Sequence, residues 1–278
     1  MIGVLHRIAT IGRNTFLEAV RQKFFNVLVI LSVALIASSR FFRQFDFGSG
    51  ELKFIADFGL GAIFLFGSIL AVVATAQLFF SEIENRTALT ILAKPVHRWE
   101  FLAGKFVGVL MLLLVFTLLM AGILGAMLYW REGDLMQRFG DDFQEGRLVS
   151  YSGLFGFAIL QWLKLGMLSA ITVFISSFSN TNLYSVVVSF FVMLICQLQY
   201  IARDSWESIG NPILKNVVGA LSLLFPNFQM FNVGDVMLFP HQIGEFSAST
   251  PWMIAGYGVI YIVAFIGLAV FTFRNREI

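Results

Sequence analysis

The sequence predicts an all-α integral membrane protein, and three observations support this class. Of 278 residues, 58% are hydrophobic and only 13% are charged, against roughly 25% charged in an average soluble domain. Several apolar runs approach the roughly 20 residues that a helix needs to cross a bilayer. These runs are continuous, whereas the strands of a membrane β-barrel alternate over about ten residues. We therefore predict one transmembrane domain with an N-terminal amphipathic surface helix, six transmembrane helices and a short re-entrant or interfacial helix before the last span.

The N-terminal segment 1–23 predicts a helix that lies on the cytoplasmic surface of the membrane. Apolar residues such as Leu5 and Phe16 recur at helical spacing, and most polar residues fall elsewhere. The alternative is an ordinary basic flank ahead of the first span. The segment has no continuous apolar core and no signal-peptide cleavage site, so the first span would also act as the targeting signal.

Six apolar runs predict the spans, at 24–42, 57–80, 103–129, 153–178, 183–202 and 251–273. They divide the domain 1–278 into the surface helix 1–23, spans one to three with their loop at 24–130, an external segment 131–150, spans four and five at 151–202, an external or re-entrant segment 203–250, and the last span with its tail at 251–278.

The two long external segments differ in character. Residues 131–150 are polar and predict a short external helix, whereas residues 213–225 form an apolar stretch between Pro212 and Pro226. That stretch is too short to span a bilayer, which favours a re-entrant or interfacial helix. The alternative is a seventh span, which would place the C-terminus outside.

Lysine and arginine placement predicts the orientation. With both termini in the cytoplasm, the inner segments hold ten Lys and Arg residues in about 57 positions, and the outer segments hold eight in about 86. Cytoplasmic loops carry the excess of positive charge in membrane proteins. We therefore predict a multi-pass protein of the cytoplasmic (inner) membrane with cytoplasmic N- and C-termini.

The loop 81–104, between the second and third spans, predicts a short amphipathic helix parallel to the membrane. Glu82 and Glu84 lie near its N-terminus, where the helix dipole favours anions. Leu89 and Leu92 supply apolar surface, and Pro95 cannot continue the helix. Such a helix is suited to receive force from a cytosolic partner.

The run Glu-x-Glu-x-x-Thr-x-x-x-x-Leu-x-Lys-Pro-Val-x-Arg-x-Glu-Phe-x-x-Gly-Lys, from Glu82 to Lys105, resembles the permease subunits of type-2 ABC exporters. Within them it is similar to the branch involved in multicopper-enzyme maturation, the nitrous-oxide-reductase maturation permease type. The resemblance covers nearly the whole chain and implies that the surface helix and the loop, called the coupling helix, dock on an ATPase. The implied coupling residues are Glu82, Glu84, Arg86, Thr87, Leu89, Leu92, Lys94, Pro95 and Arg98.

The sequence carries no motif for catalysis. Gly104-Lys105 is followed by Phe106, so the P-loop pattern that binds ATP phosphates is missing. The one cysteine, Cys196, rules out a disulfide framework. We predict no enzymatic activity, no catalytic residue, no metal and no cofactor in this chain; ATP and Mg²⁺ would bind the partner ATPase.

Lys164 is the one charge well inside a predicted span. A lysine at mid-membrane costs about 2.5–3.5 kcal/mol on insertion scales, so it should face a cavity or a polar partner. Gln161 lies one turn earlier on the same face, and Gln197 is a further candidate partner. These residues predict a translocation path or a subunit interface. The alternative is a snorkelling lysine near a misplaced helix boundary.

Gly104 and Gly108 form a small-xxx-small pair, which allows two helices to approach closely. Packing within the subunit is favoured over packing between two subunits.

Together these features predict the permease subunit of an ABC transporter, which couples ATP hydrolysis on a separate subunit to export of a substrate. The predicted partners are cytosolic ABC ATPases, a second permease copy in a homodimer or heterodimer, membrane lipid and an extracellular accessory protein, with no nucleic acid. Two alternatives stay open. One is a membrane anchor or assembly factor for an extracellular protein, and the other is an ion-coupled secondary transporter.

Overall fold

A computed structural model describes residues 2–39, 50–84, 97–138, 146–204, 213, 215–216, 219, 224–240, 247 and 249–274. Their secondary structure is helical and contains no strand, which confirms the predicted all-α class. The α-helices are, in chain order, α1 (Ile2–Arg21), α2 (Lys23–Ser38), α3 (Gly50–Glu84), α4 (Arg98–Arg138), α5 (Tyr151–Phe178), α6 (Asn182–Asp204), α7 (Gly234–Leu238) and α8 (Thr250–Arg274). A 3-10 helix, Phe228–Phe231, precedes α7.

The described helices provide five or six membrane spans. Helices α3, α4, α5, α6 and α8 are each long and apolar enough to cross a bilayer. Helix α2 has 16 residues, which extend over about 24 Å, less than the about 30 Å of a hydrocarbon core. Helix α1 has 20 residues but carries four charges, so α1 and α2 pass as a span only when taken together, and they bend by 63° at their junction. Residues 40–42 of the predicted first span lie outside the described residues.

Helix α5 forms the centre of the bundle. Of its most apolar 18-residue window, 78% is buried, against 22% for α6 and for α8. It packs against α3, α4, α6 and α8, and small or hydroxyl-bearing residues on its surface allow this. Thr75 on α3 and Ser169 on α5 share a buried hydrogen bond of 2.6 Å between their hydroxyl oxygens. The more exposed helices α6 and α8 are left to face lipid or a second subunit.

Contacts between distant residues define the two ends of the bundle. At the surface-helix end, α1 packs along the first turns of α4, where Arg7 pairs with Glu100. At the far end, the first turn of α3 meets α4 near its C-terminus, where Glu51 pairs with Arg131. Helix α4 has 41 residues and reaches both ends.

The structure changes two details of the predicted external segments. Residues 131–138 continue α4 to Arg138 and do not form a separate helix, because the helix carries on past its apolar stretch; residues 139–145 lie outside the described residues. Most of the apolar stretch 213–225 also lies outside them. Residues 224–240 are described, and their 3-10 helix and α7 pack against α3, α5 and α6.

Candidate functional site

Most of the predicted coupling loop lies outside the described residues, including Arg86, Thr87, Leu89, Leu92, Lys94 and Pro95. Glu82 and Glu84 belong to the last turn of α3. Arg98 begins α4 and is exposed. Its Nη1 donates to the carbonyl oxygens of Phe273 at 3.4 Å and Arg274 at 3.2 Å. The end of the loop is therefore tied to the C-terminus of α8.

Within the last residues of the loop 81–104, a bidentate ion pair joins α1 to α4. Nε and Nη2 of Arg7 donate to the two carboxylate oxygens of Glu100 at 2.9 and 2.8 Å. The carboxylate is fully buried, whereas 36% of the arginine side chain is exposed. The hydrogen bonds that Arg7 donates to Glu100 raise the pKa of the Arg7 guanidinium. Glu100 was part of the family-like motif, but its partner was missed.

Two glycines bring α1 and α4 into backbone contact. A Cβ atom on Gly104 would lie 2.7 Å from the Cβ of Ile11, and one on Gly108 would lie 2.6 Å from the Cβ of Thr15. The Gly108 position also lies 2.7 Å from the carbonyl oxygen of Gly12. Such distances are too short for any side chain. The favoured interpretation of the glycine pair, packing within the subunit, is confirmed, and the partner is α1.

The contacts between α1 and α4 follow one register. Arg7 meets Glu100, Ile11 meets Gly104, and Thr15 meets Gly108, so each step advances four residues on both helices. Four-residue rows of side chains form the ridges along which helices interlock. The two helices therefore run side by side in the same direction over more than two turns. This is a docked helix, held by packing as well as by charge.

Lys164 is buried in the middle of α5, with 4% of its surface exposed. Its Nζ lies 4.0 Å from the ring centroid of Phe64 on α3 and 5.7 Å from that of Phe228 in the 3-10 helix. Ring faces attract cations at such distances. The burial argues against a snorkelling lysine near a helix end, and the aromatic neighbours were not predicted.

The two glutamines predicted with Lys164 lie in different surroundings. Gln161 is 2% exposed, and its Nε2 has no hydrogen-bond acceptor among the described residues. Gln197 on α6 donates through Nε2 to Oε1 of Gln229 at 3.4 Å, next to Phe228. The 3-10 helix before α7 therefore contributes Phe228 to the surroundings of Lys164 and Gln229 to those of Gln197.

The far end contains two charged networks that the sequence analysis missed. Nε and Nη2 of Arg131 donate to the carboxylate of Glu51 at 2.7 and 2.6 Å, both side chains being nearly buried. Glu132, fully buried, accepts from the amides of Leu148 and Val149 at 2.7 and 3.0 Å and from the Tyr151 hydroxyl at 2.7 Å. The available signal was the Arg131-Glu132 pair directly after an apolar run. Its partners, up to 80 positions away, had no sequence signature.

No group of three or more His, Cys, Asp or Glu side chains in the described part of the chain is placed to hold a metal ion. The features that remain for function are the α1–α4 contact beside the loop and the buried Lys164 region.

The comparison with protein families identifies the class. The model described as ABC-2 family transporter protein matches residues 9–278, from within α1 to the end of the chain. No curated protein matches the sequence. The family match agrees with the apolar helices, and it confirms the predicted type-2 ABC permease. The chain therefore belongs to the ABC-2 transporter family, as a multi-pass membrane permease of an ABC transporter.

Proposed function

We propose that this permease couples ATP hydrolysis on separate cytosolic ATPase subunits to the export of a substrate across the cytoplasmic membrane. The family implies ATPase partners for the transporter. In this proposal the loop 81–104 and α1 together form the surface on which an ATPase docks. ATP and Mg²⁺ bind to the ATPase, and this chain carries out no catalysis.

The observation that carries the proposal is the docking of α1 on the first turns of α4. Glu100 of the Arg7–Glu100 pair lies four residues after position 96, the last undescribed residue of the loop region. A force applied to the loop therefore reaches α4 directly and α1 through Glu100. Because Gly104 and Gly108 hold the helices in backbone contact, α1 and the start of α4 would move together.

Orientation and assembly follow from the same arrangement. The excess of Lys and Arg in the inner segments supports cytoplasmic N- and C-termini, which places the surface-helix end toward the ATPase. Helices α6 and α8 expose apolar surface, suited to a second permease copy or to lipid. The motif from Glu82 to Lys105 supports the multicopper-enzyme maturation branch, and an extracellular accessory protein would bind at the far end.

The translocation path in this proposal passes Gln161, Lys164 and Gln197. These are polar side chains at the level of the spans, on the central helix α5 and on α6. Polar and ionisable residues at membrane depth commonly line such paths. Tilting of α4 relative to α5, driven from the loop, would open and close the access to them.

The test is co-purification of the chain with a soluble P-loop ATPase. The double variant Leu89→Asp/Leu92→Asp places two charges on the apolar face of the predicted coupling helix. It is expected to lose the ATPase, because the charges must be desolvated at the contact. Retention of the ATPase at the normal ratio would contradict the coupling assignment.

A matched control separates this loss from a general effect of added charge. Ser247→Asp/Ser249→Asp adds the same two charges at exposed positions on the loop that enters α8 at the far end. It is expected to retain the ATPase. Both doubles should elute as monodisperse protein in the same detergent, so that a difference in ATPase content reports the contact itself.

A further inference from the structure

In the described part of the chain, the centre of α5 contains a buried lysine with no carboxylate beside it and a buried glutamine amide with no acceptor. Lys164 stands 13 residues after Tyr151 and 14 before Phe178, the two ends of α5. No carboxylate in the described part of the chain lies within ion-pair distance of its Nζ. The Nε2 of Gln161, one turn earlier, has no acceptor among the described residues.

The surroundings of Lys164 stabilise a cation but do not complete its hydrogen bonds. Phe64 and Phe228 present ring faces at 4.0 and 5.7 Å, and these attract the ammonium group. An ammonium has three N–H donors, however, and a ring face is no conventional acceptor. Leaving a buried charge without a counter-charge is costly, so the site is complementary to a negative group.

The chemistry of the walls restricts the rest of the ligand. The side chains over which the Lys164 Nζ lies are the phenylalanines Phe64 and Phe228. A cation would be repelled by the ammonium, and a strongly hydrated polar molecule would lose its water without replacement. A mainly apolar molecule with one anionic group satisfies both the donors and the walls.

We propose that Lys164 and Gln161 bind the anionic group of a mainly apolar, singly charged substrate or ligand at mid-membrane. Lys164 supplies the charge, Gln161 donates a second hydrogen bond, and Phe64 and Phe228 contact the apolar part beside that group. This inference rests on the proposed function for its role in transport, but the binding site itself does not depend on an ATPase.

The test compares three probes that share one decyl chain: decane-1-sulfonate, decan-1-ol and decyltrimethylammonium. The full chain is reconstituted in phosphatidylcholine nanodiscs, and binding is followed by the shift in thermal unfolding, corrected for partition into empty discs. The sulfonate is expected to bind at least about tenfold more tightly than the alcohol, a difference of about 1.4 kcal/mol. The trimethylammonium probe should bind most weakly.

Variants of single residues show which side chains cause the preference for sulfonate over alcohol. Lys164→Met should abolish the preference for sulfonate over alcohol, while Lys164→Arg, which keeps the charge, should retain it. Gln161→Leu should reduce the preference several-fold. Lys23→Met removes an exposed lysine at the start of α2 and is the control, which should bind like the wild type.

Two results would overturn the inference: equal binding of the three probes by the wild type, or a wild-type preference in Lys164→Met. Lys164→Met replaces a buried charge with an apolar side chain of similar length, so it should fold; if it does not, Lys164→Gln, which removes the charge but keeps a polar side chain, takes its place in the second result. The assay needs no ATPase. Its failure would leave the proposed coupling function intact, and failure of the Leu89/Leu92 test would leave this site intact.

Discussion

The two ends of this permease are built in different ways. At the surface-helix end, α1 is held to α4 by glycine-mediated backbone contact and by an ion pair whose arginine is 36% exposed. At the far end, α3 and the segment before α5 are held to α4 by Glu51–Arg131 and by Glu132, all nearly or fully buried. One end combines close backbone packing with an ion pair that is exposed on the arginine side, and the other depends on charges that are enclosed on both sides.

The difference indicates how each end responds to a perturbation. An arginine that is 36% exposed can exchange part of its ion pair for water, whereas a buried charge network is either satisfied or strongly penalised. The far end is therefore the more rigid clamp, and the surface-helix end is the more adjustable joint. This assignment agrees with a proposal in which force enters at α1 and the loop.

The largest expected effect is at Glu132. Glu132→Ala leaves the amides of Leu148 and Val149 and the Tyr151 hydroxyl without their acceptor. Since each buried donor without an acceptor costs about 1–3 kcal/mol, we expect a loss of about 3–5 kcal/mol in unfolding free energy. Chemical unfolding in mixed micelles, followed by circular dichroism, measures it. Glu132→Gln keeps one acceptor oxygen and should lose less than half as much; a loss below about 1 kcal/mol for Glu132→Ala would contradict the clamp.

A smaller effect is expected for Gly108→Ala at the surface-helix end. The added methyl group would meet the Thr15 side chain and the Gly12 carbonyl, and such overpacking costs about 1–3 kcal/mol. Gly122→Ala on the same helix is the control, because nothing lies within 4 Å of its Cβ position. It should stabilise the protein by about 0.5–1 kcal/mol. Thermal unfolding midpoints that shift in the same direction for both variants would contradict the close contact with α1.

The smallest effect is expected for Asp134→Asn. Asp134 and Glu51 both contact Arg131, but the Asp134 side chain is 55% exposed and that of Glu51 only 8%. Exposed pairs contribute about 0–1 kcal/mol, whereas removing one partner of a buried pair costs about 3–5 kcal/mol. Unfolding titrations of Asp134→Asn and Glu51→Gln compare the same chemical change at two depths. Equal losses of unfolding free energy in the two variants would contradict the idea that burial makes the Glu51 pair the stronger one.

Composition and run length were sufficient to predict the helices, because crossing a bilayer restricts segments to long apolar stretches. The spacing of Gly104 and Gly108 predicted a close helix contact. The position of Lys164 within an apolar run predicted that it faces a cavity or a polar partner, but not that its neighbours are Phe64 and Phe228. The residues that these side chains contact could not be predicted from the sequence. Arg7 and Glu100 are 93 positions apart, and hydrophobic periodicity does not specify which helices become neighbours.

Charge outside the spans was harder to interpret than charge inside them. Glu51, Arg131 and Glu132 lie beyond the apolar runs, where a charged residue is normally solvated. They are buried here because α3 and α4 continue past the apolar stretches and pack against each other and against residues 148–151. Only the three-dimensional pairing of the helices distinguishes such residues from an ordinary polar loop.

Helix α4 is long enough to connect the two ends of the bundle as one continuous element. Its 41 residues run from Arg98 to Arg138 without an interruption in the helix, and at about 1.5 Å per residue they extend over about 60 Å. Glu100 near one end and Arg131 near the other belong to the same rigid element. A rotation of α4 at its contact with α1 would therefore also move the Glu51 and Glu132 contacts, because the helix between them is continuous. Helix α2, by contrast, departs by 63° from the direction of α1, so it lies outside this continuous path.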